Sequence, residues 1–395
     1  MKTFSAAARP LRLGFVGGSA ASGIGPTHWH ASRFDGNFSL VAGVFSADQQ
    51  RNRMAGDAYG LAPDRVYDTF AQMALGEASR ADGIEAVSVM LPNNQHVAAT
   101  CAFLARNIDV ICEKPLATSL DQALLVEQFH AAHPCVVVLT HNYSGFPMVR
   151  EARDQIAAGT IGELRLVQVE HAVSSGVAAP AGNAPSSWRT DPAIVGSSAV
   201  LADVGVHAHH LVRFICGLEV REVAAELSTL LPGRVSDDNA HVMMRLDRNV
   251  RGMLWASFVA AGIRQGLQIR VFGSTGSLAW HQEDPDRLLV QPQHAAHYVL
   301  RRGEPWAGAA AKAGTRLKAG QLEGQLEAFA NIYSDAAELI RARRSGRSPS
   351  PSARLCPTLS DGVAGMRFID ACVRSQAMRS AWVKLQADES APGQS

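Results

Sequence analysis

No apolar run in this 395-residue chain is long enough to cross a bilayer. Segments such as Val136-Val137-Val138-Leu139 fall far short of the roughly twenty residues that a membrane-spanning helix needs. An excess of either charge is also missing. Lys and Arg total 37 against 36 Asp and Glu, a formal charge of +1, so no basic surplus exists to neutralise a phosphate backbone and nucleic acid is not an expected partner. Charged residues make up 18% and apolar residues 47%, a balance that fills cores and does not describe a disordered chain. Cysteine is sparse and unpatterned. The six thiols (Cys101, Cys112, Cys135, Cys216, Cys356 and Cys372) include no C-x-x-C pair. They read as small core residues in a reducing compartment, and a cytoplasmic location is the expectation. Residues 1–10 hold one Lys and a short Ala-rich run, without the longer apolar stretch of a signal peptide.

What is present is an alternation. Strand-like runs at Leu11–Val16, Leu40–Phe45, Ala86–Leu91, Asp109–Cys112 and Cys135–Thr140 are separated by helix-length segments at Gly25–Phe34, Ala47–Tyr59, Gln95–Arg106 and Ser119–Ala132. Near-continuous apolar strands alternating with helices predict a parallel sheet covered on both faces, with ligands at the carboxyl ends of its strands. From about Gly162 the pattern changes to successive strands: Glu163–Ser174, Glu219–Leu230, His241–Leu246, Val250–Val259, Leu267–Phe272, Ser277–His281 and Arg287–Gln291. Short turns join several of them, which predicts a mostly antiparallel open sheet, with helices at Ala199–Ile215, Glu323–Arg344 and Asp361–Gln376. The expected fold class is therefore α/β: a Rossmann domain over residues 1–143 and an α+β domain over 144–395, its last helix packing back on the first domain. The Ala/Gly/Pro-rich stretches Gly176–Ser187 and Gly303–Gly320 are candidate lids or surface loops.

After the first strand comes Gly17-Gly18-Ser19-Ala20-Ala21-Ser22-Gly23-Ile24-Gly25. Glycines between a strand and a helix let the backbone approach a pyrophosphate at the helix N-terminus. The match to G-x-G-x-x-G is imperfect, because Ser19 replaces the second glycine and about three extra residues precede Gly25. A ligand-free glycine turn would look the same. The second strand ends in Ser46 without an acid for an NAD ribose, and Arg51 follows it. A hydroxyl with a guanidinium can receive the 2′-phosphate of NADP, while Asp48 is in reach of a ribose. NAD and NADP both stay open.

Three further segments narrow the reading. Leu91 is followed by Pro92-Asn93-Asn94-Gln95-His96, Glu113-Lys114-Pro115 follows the next strand, and Gly196…Asp203-Val204-Gly205-Val206-His207 opens a later helix. In this order they resemble the Gfo/Idh/MocA oxidoreductases. His141-Asn142-Tyr143, Ser187-Trp188-Arg189, Trp280–Pro285 and Leu326–Phe329 extend the resemblance along nearly the whole chain. It implies an NAD(P)-dependent dehydrogenase of a sugar, glycoside or cyclic polyol. It also implies a homodimer or homotetramer built on the free face of the second sheet.

By this resemblance the catalytic residues are Lys114, Asp203 and His207. Lys114 polarises the reacting oxygen or relays its proton, with burial near the nicotinamide lowering its pKa. His207 is the nearer acid/base, with an ordinary pKa of about 6.5. Asp203 lies one helical turn before it, on the same face. Glu113 faces the ribose or carboxamide of the cofactor, and Pro92, Asn93, His96 and Asn142 line its nicotinamide side. Trp188 and Arg189 sit near cofactor and substrate, and Gly17, Gly18, Ser19, Gly23, Ile24 and Gly25 hold the phosphates. Plainer readings exist: a surface turn for Lys114, a helix cap for Asp203, and surface or packing for His28-x-His30. His207, His209 and His210 point to different helix faces, so no metal is expected. Two other functions share these motifs: a redox-assisted glycoside hydrolase and a non-catalytic sugar or nucleotide sensor.

Overall fold

The computed structural model describes residues 9–174 and 191–386. Five parallel strands form the first sheet: β1 (Leu11–Gly17), β2 (Phe38–Val44), β3 (Ala86–Met90), β4 (Asp109–Cys112) and β5 (Val137–Leu139), in the order β2-β1-β3-β4-β5. Their side chains are almost all buried, because helices cover both faces. Those helices are α1 (Gly25–Phe34), α2 (Gln49–Ala58), α3 (Phe70–Ala78), α4 (His96–Leu104) and α5 (Leu120–Ala132). Asp48, Thr69 and Ser119 start α2, α3 and α5 by accepting the N–H three residues on. Helix α3 is an element the strand–helix alternation did not predict.

The rest of the described chain builds a nine-stranded sheet. Helix α6 (Pro147–Ala157) leads into β6 (Leu164–Ala172), and α7 (Pro192–Val195) precedes α8 (Val206–Cys216). Strands β7 (Val220–Ser228), β8 (Asn239–Leu246), β9 (Arg251–Ser257), β10 (Gly266–Gly273), β11 (Gly276–His281), β12 (Arg287–Pro292), β13 (Tyr298–Arg301) and, near the C-terminus, β14 (Val383–Lys384) complete it. The order is β13-β12-β11-β10-β6-β9-β8-β7-β14, antiparallel except for β6 against β9. Strict alternation divides its faces. Val167, Val169, Leu254, Ile269 and Val271 are buried on the face that packs against α8, whereas Leu166, Met243 and Met253 on the opposite face are more than half exposed.

Between β13 and the last helices lies α9 (Ala309–Gly314), packed on α6. This corrects the expectation of a lid or surface loop at Gly303–Gly320. Arg316 within it pairs with Asp35 at 2.5 Å, and Arg302 just before it pairs with Asp286 and Glu323, so the segment is pinned to both halves of the chain. Helices α10 (Gln325–Ser345) and α11 (Leu359–Ala377) then return to the first sheet. Helix α10 lies along α1, and α11 packs between α5 and β7.

Candidate active site

The carboxyl ends of β1, β3 and β4 and the start of α8 converge on one place. Gly17 and Gly18 take left-handed backbone angles, φ 76° and 67°, which favour glycine. A Cβ on Gly25 would stand 2.2 Å from the Gly18 carbonyl oxygen, so strand and helix meet too closely for any other residue. The extra residues of the turn fold on themselves. Ser22 N–H donates to the Ser19 carbonyl at 2.8 Å, and Ser22 Oγ accepts from Gly25 N–H at 2.9 Å. At the end of β2, Asp48 caps α2 through Arg51 N–H at 2.8 Å, and Ser46 Oγ accepts from Asp48 N–H at 3.1 Å.

The three motif segments meet directly. Asn93 Nδ2 donates to the Val195 carbonyl at 3.2 Å. A Cβ on Gly196 would lie 2.6 Å from the Thr118 carbonyl oxygen, so this glycine lets the second half dock on the loop after Lys114. Lys114, which precedes a cis Pro115, reaches across and donates to Asp203 Oδ1 at 2.5 Å and to the Asp203 carbonyl at 2.7 Å. A surface turn for Lys114 is thereby set aside, since its side chain is 14% exposed. His96, buried, stands between the Pro115 and Leu91 carbonyls at 2.7 and 2.8 Å and ties the β3 and β4 loops together. Burial pushes its pKa down.

Asp203 does not cap a helix. It lies in a five-residue π-turn, Leu201–Gly205, that widens the entry to α8, a distortion frequent at functional sites. Ser198 and Asp237 cap instead: Ser198 Oγ accepts from Leu201 N–H, and Asp237 accepts from Ala199 N–H at 2.6 Å. The four residues from Asp203 to His207 therefore run from a π-turn into α8 and not through regular α-helix alone.

His207 sits inside a box of rings. Tyr143 and His141 meet it edge-on, at 4.9 and 5.6 Å between centroids, and His171 is tilted at 5.8 Å. Burial, followed by the charge of Lys114, holds the His207 pKa well below the usual imidazole value. This corrects the ordinary value expected from its sequence, and makes His207 neutral at physiological pH. Burial likewise pushes His171 and His210 down to about 4 and His141 well below 6.5. Tyr143, bonded to Gln282, is pushed up by burial and by Asp203. Of the three histidines of α8 only His209 diverges, stacking on Phe368; His207 and His210 both meet His141, which corrects the expectation of three different faces. Buried His207 Nδ1, His141 Nδ1 and Asn142 Nδ2 have no hydrogen-bond partner among the described residues.

The reading of His28-x-His30 as helix surface and packing divides between its two members: His30 is exposed, whereas His28 packs inward. His28 is fully buried and bonds Glu113 and Tyr333. The one available signal was position, since Gly25, His28, Ala31 and Ser32 share the buried stripe of α1. His141 and Tyr143 belong to a motif segment, but their roles as walls around His207 were not legible. Trp188, Arg189 and 176–187 lie outside the described residues.

These residues fit a nicotinamide dinucleotide. The glycine cradle of Gly17, Gly18, Ser19, Gly23, Ile24 and Gly25 opens α1 where its N-cap, Ile24, supplies no side-chain partner. Asn142, next to His141 in the chain, keeps a buried amide donor with no partner among the described residues, suited to a carboxamide.

Comparison with known proteins agrees with this geometry. Residues 11–141 match the oxidoreductase family with an NAD-binding Rossmann fold, and residues 149–279 match the GFO/IDH/MocA C-terminal domain. The chain is 32% identical over 383 residues to the uncharacterized oxidoreductase YfiI of Bacillus subtilis (strain 168), covering 96% of this chain and 98% of that one. An oxidoreductase from Sinorhizobium meliloti superposes with a TM-score of 0.87 at 41% identity, covering 95% of this chain and all of that one. An inositol dehydrogenase homologue from Azotobacter vinelandii, complexed with NAD+, superposes with a TM-score of 0.91 at 34% identity over 97% of this chain and 100% of its own. The complex of that homologue with NADH and myo-inositol gives 0.88.

Proposed function

The chain belongs to the GFO/IDH/MocA family of NAD-binding oxidoreductases, and on that premise we propose that it oxidises a ring hydroxyl of a sugar, glycoside or cyclic polyol to a ketone. The observation that carries this reading is the Lys114–Asp203 contact across the two halves, beside a neutral His207. When bound, NAD(P) supplies the hydride acceptor. His207, uncharged, takes the hydroxyl proton as hydride leaves the same carbinol. The Lys114 ammonium stabilises the oxygen while it carries negative charge. Asp203 holds that ammonium in place through one carboxylate oxygen and its own carbonyl. Glu113, Leu91, Pro92, Asn93, His96 and Asn142 line the nicotinamide side.

The myo-inositol bound by the Azotobacter homologue supports a cyclic polyol among the substrates. The hydroxyl of Ser46 and the guanidinium of Arg51, at the end of β2, suit a 2′-phosphate, and the engagement of Asp48 in capping supports that reading. Titrations with NADH and NADPH decide between the two cofactors. The exposed face carrying Leu166, Met243 and Met253 supports a homodimer or homotetramer. All six cysteines are free thiols and five are buried, which supports a reducing, cytoplasmic setting; no helix among the described residues is long and apolar enough to cross a membrane.

The test is a panel of sugars, glycosides and inositols with reduced-cofactor fluorescence as the readout. Net reduction of exchangeable cofactor with at least one polyol is expected. Released free sugar without net reduction would make the protein a redox-assisted hydrolase, and no nucleotide binding would overturn the reading.

A further inference from the structure

Four polar side chains from separate segments form a line of which the reaction above uses only the last, Glu113. Ser88 on β3, Tyr333 on α10 and His28 on α1 are all buried. Glu113, at the end of β4, is the one member with any surface, 14% of its side chain. Ser88 Oγ lies 2.7 Å from Tyr333 Oη, which lies 2.6 Å from His28 Nδ1. His28 Nε2 lies 2.9 Å from Glu113 Oε1, and the Thr140 hydroxyl bonds the same oxygen.

The donor count fixes the direction. An ionised carboxylate only accepts, so His28 donates from Nε2. In the tautomer with its proton on Nε2, Nδ1 accepts from the Tyr333 hydroxyl, whose oxygen accepts from Ser88. Each proton in the line points toward Glu113. Phe329 packs edge-on against the His28 ring at 4.9 Å and Phe38 against Tyr333 at 5.6 Å, so neither ring is free to turn. Burying four polar groups is costly unless each is paired. An apolar core would hold α1 to α10 without that cost. What the line adds is a fixed carboxylate one residue before Lys114. Among the described residues no hydrogen bond reaches the second oxygen of Glu113.

We propose that His28 is a positioning residue, backed by Tyr333, that holds the Glu113 carboxylate with its second oxygen free to grip the nicotinamide half of the cofactor. The inference rests on the cofactor reading above. It makes α10, more than 200 residues away in sequence, part of the cofactor site.

Electrostatics support the geometry. Burial pushes the Glu113 pKa up, but the His28 hydrogen bond, the Thr140 hydroxyl and Lys114 outweigh it, and the net direction is down. The other groups facing Glu113 are Tyr333, Cys112 and His96. Without the His28 donor one of the groups opposing burial is gone, and the carboxyl takes up a proton at higher pH than in the wild type.

The experiment is NADH or NADPH binding, followed by fluorescence across pH, in the wild type, His28→Leu, His28→Gln and Tyr333→Phe. At pH 7.5, His28→Leu is expected to weaken binding about tenfold, the scale of a hydrogen bond to a charged group. The acid limb of its affinity profile moves to higher pH. His28→Gln, which keeps an N–H donor at similar reach, recovers affinity to within about threefold, and Tyr333→Phe falls between the two. Tyr333→Phe removes a single oxygen and carries the test if His28→Leu does not fold. Unchanged affinity and pH profile in Tyr333→Phe and His28→Leu, or no recovery in His28→Gln, overturns the inference while wild-type binding keeps the cofactor reading intact. A wild type that binds neither nucleotide overturns both.

Discussion

Replacing Lys114 with Met separates the two jobs a lysine can do at this position. Its ammonium makes two contacts, 2.5 Å to Asp203 Oδ1 and 2.7 Å to the Asp203 carbonyl. Asp203 is 49% exposed, so solvent compensates for much of the lost ion pair and the expected stability loss is about 1 kcal/mol or less. Methionine retains the buried aliphatic stem. A loss of that size in a chain this long moves the melting temperature by only about 1 °C. Catalysis is affected on another scale. Removing a preorganised donor from an oxygen that gains charge costs about 10²- to 10³-fold in kcat, or roughly 2.7–4 kcal/mol. Cofactor affinity should stay within about threefold, because the glycine cradle is untouched, and Lys114→Arg should not restore turnover, since a planar guanidinium does not replace a compact ammonium. The assays are a thermal melt, a fluorescence titration and steady-state turnover on one preparation. Turnover within tenfold of wild type, or a collapse of the melt by more than about 10 °C, refutes the assignment of Lys114 to the reacting oxygen.

Acid should destabilise the fold earlier than carboxylate protonation alone would. His141, His171, His207, His209 and His210 all have folded pKa values pushed below their unfolded value near 6.5, chiefly by burial. The unfolded chain therefore binds more protons below pH 6.5. The stability is full above that pH and is lost as pH falls, by up to about 1.4 kcal/mol per histidine per pH unit. Urea melts at pH 7.5, 6.5 and 5.5 check this, and equal unfolding free energies would contradict it. Gly25→Ala places a Cβ 2.2 Å from a backbone oxygen, and is expected to weaken cofactor binding at least about tenfold in a calorimetric titration while the chain stays folded. Met253→Lys puts a charge on the exposed face of the nine-stranded sheet, where light scattering should show a smaller species than the wild type.

Regular features of the first sheet were legible because strands buried on both faces leave unbroken apolar runs. Helix α1 and strand β4 fall on the expected residues, Gly25–Phe34 and Asp109–Cys112. Helix α3, Phe70–Ala78, was not legible: it is an additional element between β2 and β3, where a strand–helix alternation calls for only one helix, and α2 already fills that place. Nor could the π-turn at Leu201–Gly205 be anticipated, since one extra residue in a helical turn leaves no mark on composition. In the site, Lys114, Asp203 and His207 stood out through their motifs. The pKa of His207 did not, because it depends on burial among Tyr143, His141 and His171, rings carried by other segments. His28 was hidden for the same reason, its partner Tyr333 lying 305 residues away. Local patterns predict elements, whereas the electrostatics of a site come from what tertiary packing places beside it.

The most direct test of the central claim follows the hydride itself. The purified protein would be mixed with NAD(P) and a cyclic polyol deuterated at its ring carbons, and the nicotinamide then examined by absorbance and mass. The account predicts net formation of reduced cofactor carrying one deuterium, with an equal amount of ketone. Unlabelled, unreduced cofactor across the polyol, sugar and glycoside panel, in a protein that binds the nucleotide, would contradict it.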